Sequence, residues 1–443
     1  MFSIRTRLFV MMFLQYLIWG AWLPLLGLYM TNYLEFNPTQ KAWIFNAFAI
    51  ASLTGMFFGG QLADRYFSQE KFLAFSHLVG GLAIFALAYQ KTFWPFLGLM
   101  LVHCFFYVPT LSITNSIAFA NLKDAQKEFG MIRLGGTFGW IAAAWPLIFI
   151  PIDWAMVPTM AEAGGFMSWL GTALSTVKTG PGMANALSNT FIVSGIASLV
   201  LAAYSLTLPR TPPVEKTNAK FAPFEAIKLL AVPAIFILFI VTFLDAVIQQ
   251  CYFVETGTFL KSIGLTENWI APAMSIGQFA EIPAMAMLGL LLKKLGWRTT
   301  MILGILGQAV RFGIYSVGSP DLLWLVIASN LVHGFAYACF FATVYIFVDA
   351  NFPKDARTSA QGLFNLLILG VGPFAGNFLW GGLESVFKTQ TIVDGKTIEV
   401  VNFNQLFLVP LGISIVAAII LALFFHPENI KADVPESKPV PAH

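Results

Sequence analysis

Asp245, Glu281 and Arg311 are the only charged side chains deep inside the apolar segments of this sequence, and all three fall in its second half. An Asp, Glu or Arg at membrane depth costs roughly 2.5–3.5 kcal/mol, so such residues mark a pathway, a partner or a substrate. A buried carboxylate can carry a proton when its cationic partner moves away, which makes Asp245 and Glu281 candidates for proton coupling. Gln278 stands three residues before Glu281, so an amide and a carboxylate share one helix face. Together these groups can bind something polar inside an apolar setting.

The elements that must hold them are membrane helices. Hydrophobic residues make up 58% of the 443 and charged residues 11%, against about 25% charged in a soluble domain. Mean hydropathy is +0.75. At ~20 apolar residues per crossing, the sequence predicts twelve spans. The first six lie near 8–32, 42–63, 72–90, 93–119, 131–152 and 186–208; the second six near 226–253, 268–292, 299–317, 322–349, 358–384 and 404–426. The domains expected are an N-terminal six-helix bundle over 1–208, with an outer insert at 153–185, and a C-terminal bundle over 223–426. A polar, Pro-rich linker at 209–222 joins them, and a tail covers 427–443. No cleavable leader is expected, because the run from Leu8 to Tyr29 is longer than a signal core. Cys104, Cys251 and Cys339 have no metal spacing and read as small core residues.

Lys and Arg set the expected orientation. With the N-terminus inside, eighteen of the 25 fall on inner segments, six on outer segments, and Arg311 is mid-span. Both termini are therefore expected in the cytoplasm. The two halves also echo each other: Gly60-x-x-x-Asp64-Arg65 follows span two, and Gly289-x-x-x-Lys293-Lys294 follows span eight. A glycine there lets helix ends approach, and the charges after it can pair or gate across the inner gap. Twelve helices in two repeated sixes resemble the major facilitator superfamily, an all-α membrane fold with its substrate site between the halves at mid-membrane. The Gly-Arg-Arg/Lys continuation usual in that superfamily is missing after Arg65.

Five blocks carry a closer resemblance: residues 13–30 (FLQYLIWGAWLPLLGLYM), 106–119 (FYVPTLSITNSIAF), 132–140 (IRLGGTFGW), 274–281 (MSIGQFAE) and 357–364 (RTSAQGLF). In matching order, they resemble the bacterial nucleoside permeases, which are nucleoside:proton symporters of the cytoplasmic membrane. The resemblance implies a secondary transporter that imports nucleosides with protons. Its substrate contacts fall on Arg133, Gln278 and Glu281, with Thr137 and Trp140 on the turns above Arg133, a glutamine at Gln249 or Gln250 (Gln250 favoured), and an aromatic at Tyr337. The family places an aspartate after that aromatic, where this chain has Ala338; His333 and Asp245 are the available substitutes. Nucleoside, protons and lipid are the partners implied, with no cofactor, metal, nucleic acid or obligate protein partner.

A nucleoside is a flat base plus a hydroxylated sugar without net charge. Glu281 suits the ribose hydroxyls, Gln278 a base edge, and Trp140, Tyr252 or Tyr337 can stack on the base, worth ~1–3 kcal/mol per base. Simpler readings stand beside these. Glu281 and Arg311 would pair as a structural ion pair, or Asp245 would take Arg311 instead; Gln278 would be interhelical glue; Arg133 would snorkel to the headgroups; His103 and His333 would only pack. A facilitator for a sugar or another small polar metabolite would use the same fold. No HExxH, P-loop or nucleophile elbow points to an enzyme.

Overall fold

The computed structural model describes residues 3–55, 68–123, 125–212, 229–352, 354–393 and 396–427. Asp64 and Arg65, most of the linker and the tail lie outside the described residues. Among the described residues, ten helical segments are long and apolar enough to cross a membrane. One of them, Glu267–Ser316, is two helices meeting at Gly296, whose φ of 73° breaks the helical path. Pro38–Thr54 completes the set, giving twelve spans. They are span 1 (Ile4–Asn32), span 2 (Pro38–Thr54), span 3 (Gln69–Leu87), span 4 (Phe93–Asn121), span 5 (Ala125–Ala144) and span 6 (Gly180–Ser205) in the first half. The second half holds span 7 (Pro233–Ser262), spans 8 and 9 on either side of Gly296, span 10 (323–351), span 11 (354–386) and span 12 (Leu408–Phe424).

Spans 5 and 7 are displaced from the sequence expectation, span 5 lying at Ala125–Ala144 rather than 131–152. Span 7 runs from Pro233 to Ser262 rather than 226–253, because a proline fits the first turn of a helix and the helix continues through the polar run after Phe253. That shift brings Glu255 inside the bundle, only 2% exposed, so the count of deep charges above was too small. Spans 10 and 11 each contain a π turn, at Ala338–Ala342 and Leu367–Val371. Two elements between spans were not anticipated. The 153–185 insert folds a helix at Phe166–Ser175, and an antiparallel hairpin pairs Lys388–Val393 with Lys396–Val401.

The face of the bundle at which the described chain starts is called the near face, and the opposite one the far face. Glycine lets span 5 press onto span 1: a Cβ on Gly139 would stand 2.0 Å from the Phe13 carbonyl, and one on Gly135 2.6 Å from that of Phe9. In the second half, Gly334 of span 10 lies against the span 8 backbone, where a Cβ would be 2.1 Å from the Gly277 oxygen. These approaches fix the helices that carry Arg133 and Glu281.

The halves meet on the far side. Lys41 of span 2 pairs with Glu384 of span 11; Asn377 Nδ2 donates to Asn46 Oδ1 at 2.9 Å; Tyr33 OH donates to Glu267 at 2.7 Å. From the insert, the Leu174 carbonyl accepts from Asn268 Nδ2 at 2.9 Å. Gly27 of span 1 packs on the Val254 carbonyl, and Gly257 of span 7 on the Pro24 carbonyl. These contacts lie from mid-bundle to the far face.

Candidate functional site

Midway through the bundle, polar and aromatic side chains from both halves converge. Span 5 brings Arg133, whose guanidinium lies 4.1 Å over the Tyr16 ring of span 1. Gly136 makes room for this contact, since a Cβ there would stand 2.6 Å from both Arg133 and Tyr16. Arg133 is therefore turned inward, which rules out the snorkelling alternative. Across the gap, Glu281 of span 8 and Tyr337 of span 10 lie within electrostatic reach of it. No ion pair joins Arg133 to Glu281 among the described residues.

Thr137 and Trp140 follow Arg133 on the turns toward the far face. Trp140 meets Trp19 edge to face at 5.5 Å and approaches Phe253 of the other half at 6.4 Å. Gln278 keeps its Oε1 buried with no hydrogen bond, and so does the indole Nε1 of Trp19. Tyr345, beyond the π turn of span 10, is near Tyr337 and Tyr16, and its hydroxyl donates to Asn365 at 2.6 Å. Arg133, Thr137, Gln278, Glu281 and Tyr337 are all only partly buried. Tyr16, Trp19 and Tyr345 were not singled out from sequence. Tyr16 and Trp19 sit three apart within the 13–30 block, the spacing that turns two side chains to one face.

A second cluster, wholly within the C-terminal half, gathers the other charges. Arg311 is fully buried. Its Nη2 donates to Gln308 Oε1 and its Nη1 to His333 Nδ1, both at 2.6 Å. Gln308 Nε2 donates in turn to Gln249 Oε1 at 3.1 Å. The guanidinium lies 4.4 Å over the Tyr252 ring, which stacks on His333 at 4.6 Å. Asp245 is 1% exposed; the Gln308 side chain approaches it closely and Arg311 lies within electrostatic range. No ion pair among the described residues joins it to Arg311, neither carboxylate oxygen completes a hydrogen bond, and Arg311 Nε makes none either.

This arrangement sorts the sequence candidates. Arg311 neighbours Asp245, so the alternative that paired it with Glu281 does not hold. His333 spends its Nδ1 lone pair accepting from a guanidinium, which leaves it no free lone pair for a proton while Arg311 stays in place. Tyr252 carries both His333 and Arg311 against its ring, its hydroxyl donates to the Met274 carbonyl, and at 1% exposure it is not free to stack on a base. Gln249 belongs to the Arg311 network. Gln250 packs beside Gly376 of span 11 and makes no side-chain hydrogen bond among the described residues. Ala338 opens the π turn and is fully buried. No group of three metal-ligating side chains occurs among the described residues.

The N-terminal half has its own buried network. His77 is held between Gln15 Oε1 at 2.9 Å and Ser198 Oγ at 3.0 Å. Gln15 Nε2 donates to Thr110 Oγ1 at 2.8 Å, and the Tyr107 hydroxyl donates to the Gln15 carbonyl at 2.7 Å. His103 bonds the Gly80 carbonyl through Nδ1 at 2.9 Å and stacks on Tyr107.

Comparison with known proteins gives a consistent outcome. A family model described as nucleoside H+ symporter matches residues 2–161 and 163–430. The chain is 30% identical to the putative nucleoside transporter YegT of Escherichia coli K12, over 95% of this chain and 93% of the relative. It is 29% identical to the xanthosine permease of the same organism, over 90% and 92%. In three dimensions it superposes on a crystal structure of the nucleoside transporter NupG with a TM-score of 0.77 at 24% identity, covering 96% of this chain and 99% of the other.

Proposed function

This chain belongs to the nucleoside H+ symporter family, and from that premise we propose how its own residues bind substrate and move a proton. As a member, it is a multi-pass membrane transporter of the major facilitator fold and not an enzyme, and it imports nucleosides with protons. The observation that carries our reading is the opposition of Arg133 on one half to Glu281 and Tyr337 on the other, without an ion pair between them. A substrate lodged there touches both halves at once, which alternating access requires.

Glu281 accepts the sugar hydroxyls, Gln278 uses its unpartnered Oε1 on a base donor, and Arg133 donates from the opposite wall with Thr137 beside it. Trp19 offers its indole N–H, while Trp140 and Tyr337 supply ring faces. Gln250 lies further along the wall formed by span 7. Asp245 is the proton carrier. Its unpaired carboxylate has two ways to be neutralised in a dry bundle: to bind a proton, or to engage Arg311. A switch between these two arrangements releases the proton. Arg311 leans on His333 and Gln308 in one of them, so His333 acts as a rest for the guanidinium.

We assign the near face to the cytoplasm, on the excess of Lys and Arg there, with both termini inside and 1–208 and 223–426 as the two moving halves. The far-face contacts then close the outside. Equilibrium binding of a panel of nucleosides and simple sugars to purified protein tests the substrate assignment. Nucleosides alone are expected to bind, and Glu281→Gln to weaken them; sugar binding that survives Glu281→Gln would overturn the site.

A further inference from the structure

The far-face closure contains a charge cluster with an odd count. Lys41, Glu384 and Glu255, from spans 2, 11 and 7, are 3%, 4% and 2% exposed. Lys41 Nζ bonds Glu384 and donates to Thr31 Oγ1 at 2.8 Å. Glu255 lies within electrostatic range of both partners, but its Oε1 is buried with no hydrogen bond. Two carboxylates thus face one ammonium in an interface sealed by the Gly27–Val254 and Gly257–Pro24 backbone approaches.

An uncompensated charge in such a place costs several kcal/mol. A single proton removes it. We propose that Glu255 is a proton-binding residue of the outer gate, and that shutting this gate takes up one proton from the external solution. When spans 2, 7 and 11 separate, water reaches all three groups and the proton leaves. Acid outside therefore favours the outward-closed state. This gate proton is separate from the one assigned to Asp245, which lies ten residues earlier on span 7, about 15 Å along the helix.

The other groups around Glu255 do not supply the missing charge. Span 1 brings only the Thr31 hydroxyl. Span 9 brings the Tyr315 phenol, which donates to Asn330 at 2.7 Å. On its own helix, the Cys251 thiol lies one turn away, and Lys261 is committed to Glu267 at 2.6 Å and to Tyr33. Span 8 meets this stretch through Ile270 against Gly257.

The inference rests on alternating access with the far face outside, and not on which substrate is carried. Its test uses spin labels at Thr39→Cys and Val386→Cys, two exposed positions on opposite halves of the far face; the native cysteines are buried. Distances are recorded in nanodiscs between about pH 5 and pH 8. One proton taken up on closing makes the closed-to-open ratio rise about tenfold per pH unit of acidification within the titrating range. Glu255→Gln and Glu384→Gln each leave one carboxylate for Lys41, so both should stay closed without that dependence. Lys41→Met leaves two carboxylates and should steepen it toward a hundredfold per unit. A wild-type ratio indifferent to pH would overturn the proposal, as would either glutamine variant that keeps the wild-type slope. Because two different residues give the same answer, misfolding of one variant leaves the test intact. Nucleoside binding measured on the same samples separates the two readings: lost binding with the slope preserved would sink the substrate assignment alone.

Discussion

The two halves of this transporter each bury a polar network, and the two are built on different principles. In the N-terminal half, His77, Gln15, Thr110, Ser198 and Tyr107 form a circuit without a formal charge pair, in which each ring nitrogen of His77 has a partner and only the Nε2 of the adjoining His103 is unmatched. In the C-terminal half, Asp245 and Arg311 lie within electrostatic range of each other without an ion pair, and three of their polar atoms are unmatched. A satisfied neutral network rigidifies and has no reason to rearrange. A charged one with idle donors and acceptors has a second arrangement close at hand. The difference suggests a division of labour: one half is a wall with a fixed face, and the other holds the part that switches.

Removing Arg311 should break this contrast most severely. Arg311→Met removes the arrangement in which the guanidinium neutralises Asp245, and loss of one partner from such a buried pair costs about 3–5 kcal/mol. The expected result is a steep fall in thermal stability in detergent, recovered in large part by adding Asp245→Asn. No recovery would mean that Arg311 serves mainly Gln308 and His333.

Glu281→Gln comes next. Losing charged hydrogen bonds to the substrate costs about 1.5–3 kcal/mol, roughly ten- to a hundredfold in Kd. Titration calorimetry with a nucleoside reads this directly, and Arg133→Gln should match it from the other half. An unchanged Kd in both would dissolve the site.

Asp245→Asn sharpens the comparison, because its effect should appear in coupling and not in affinity. Binding within about threefold of wild type is expected, along with exchange across proteoliposome membranes. Accumulation under a pH gradient should be absent; if it persisted, the proton would have to travel on Glu281.

Ser198→Ala, in the N-terminal network, should have the smallest effect. It removes a hydrogen bond from His77 at a cost of about 1 kcal/mol and should leave pH-driven uptake at its wild-type slope. A changed slope would show that this half also takes part in proton movement.

Much of the frame was legible from sequence, because a bilayer demands long apolar runs and the runs are there. Ten spans lie near where hydropathy puts them, and span 5 sits six to eight residues earlier than expected. The twelfth case, span 7, slid because apolar content alone cannot tell the separate 3-10 turn at Leu229–Ala231 from the first turn of the span; the proline itself was the better marker. That slip hid Glu255. Lys41 and Glu384 read as charges at span ends, and only the closeness of spans 2 and 11 shows that they are buried together. For the site, spacing put Gln278 beside Glu281 and Arg133 below Thr137. What spacing could not supply was the partner across the gap: whether Arg311 faces Asp245 or Glu281 depends on how helices pack, not on either helix alone. The 388–401 hairpin did carry a signal, an Asp-Gly pair between alternating residues.

The π turn in span 10 has a consequence for length changes in this protein. Tyr337 and Tyr345 are eight residues apart, and at 100° per residue they would stand about 80° apart around the helix. Five residues in the wider π winding, at roughly 80° each, cancel that difference, and Thr343 Oγ1 marks the extra residue by reaching back to the Ala338 carbonyl at 3.2 Å. A one-residue deletion between 338 and 342 should therefore be absorbed, with the turn tightening to ordinary helix and both tyrosines still on one face. The same deletion a turn to either side would have no slack to draw on and would swing everything beyond it by about 100°.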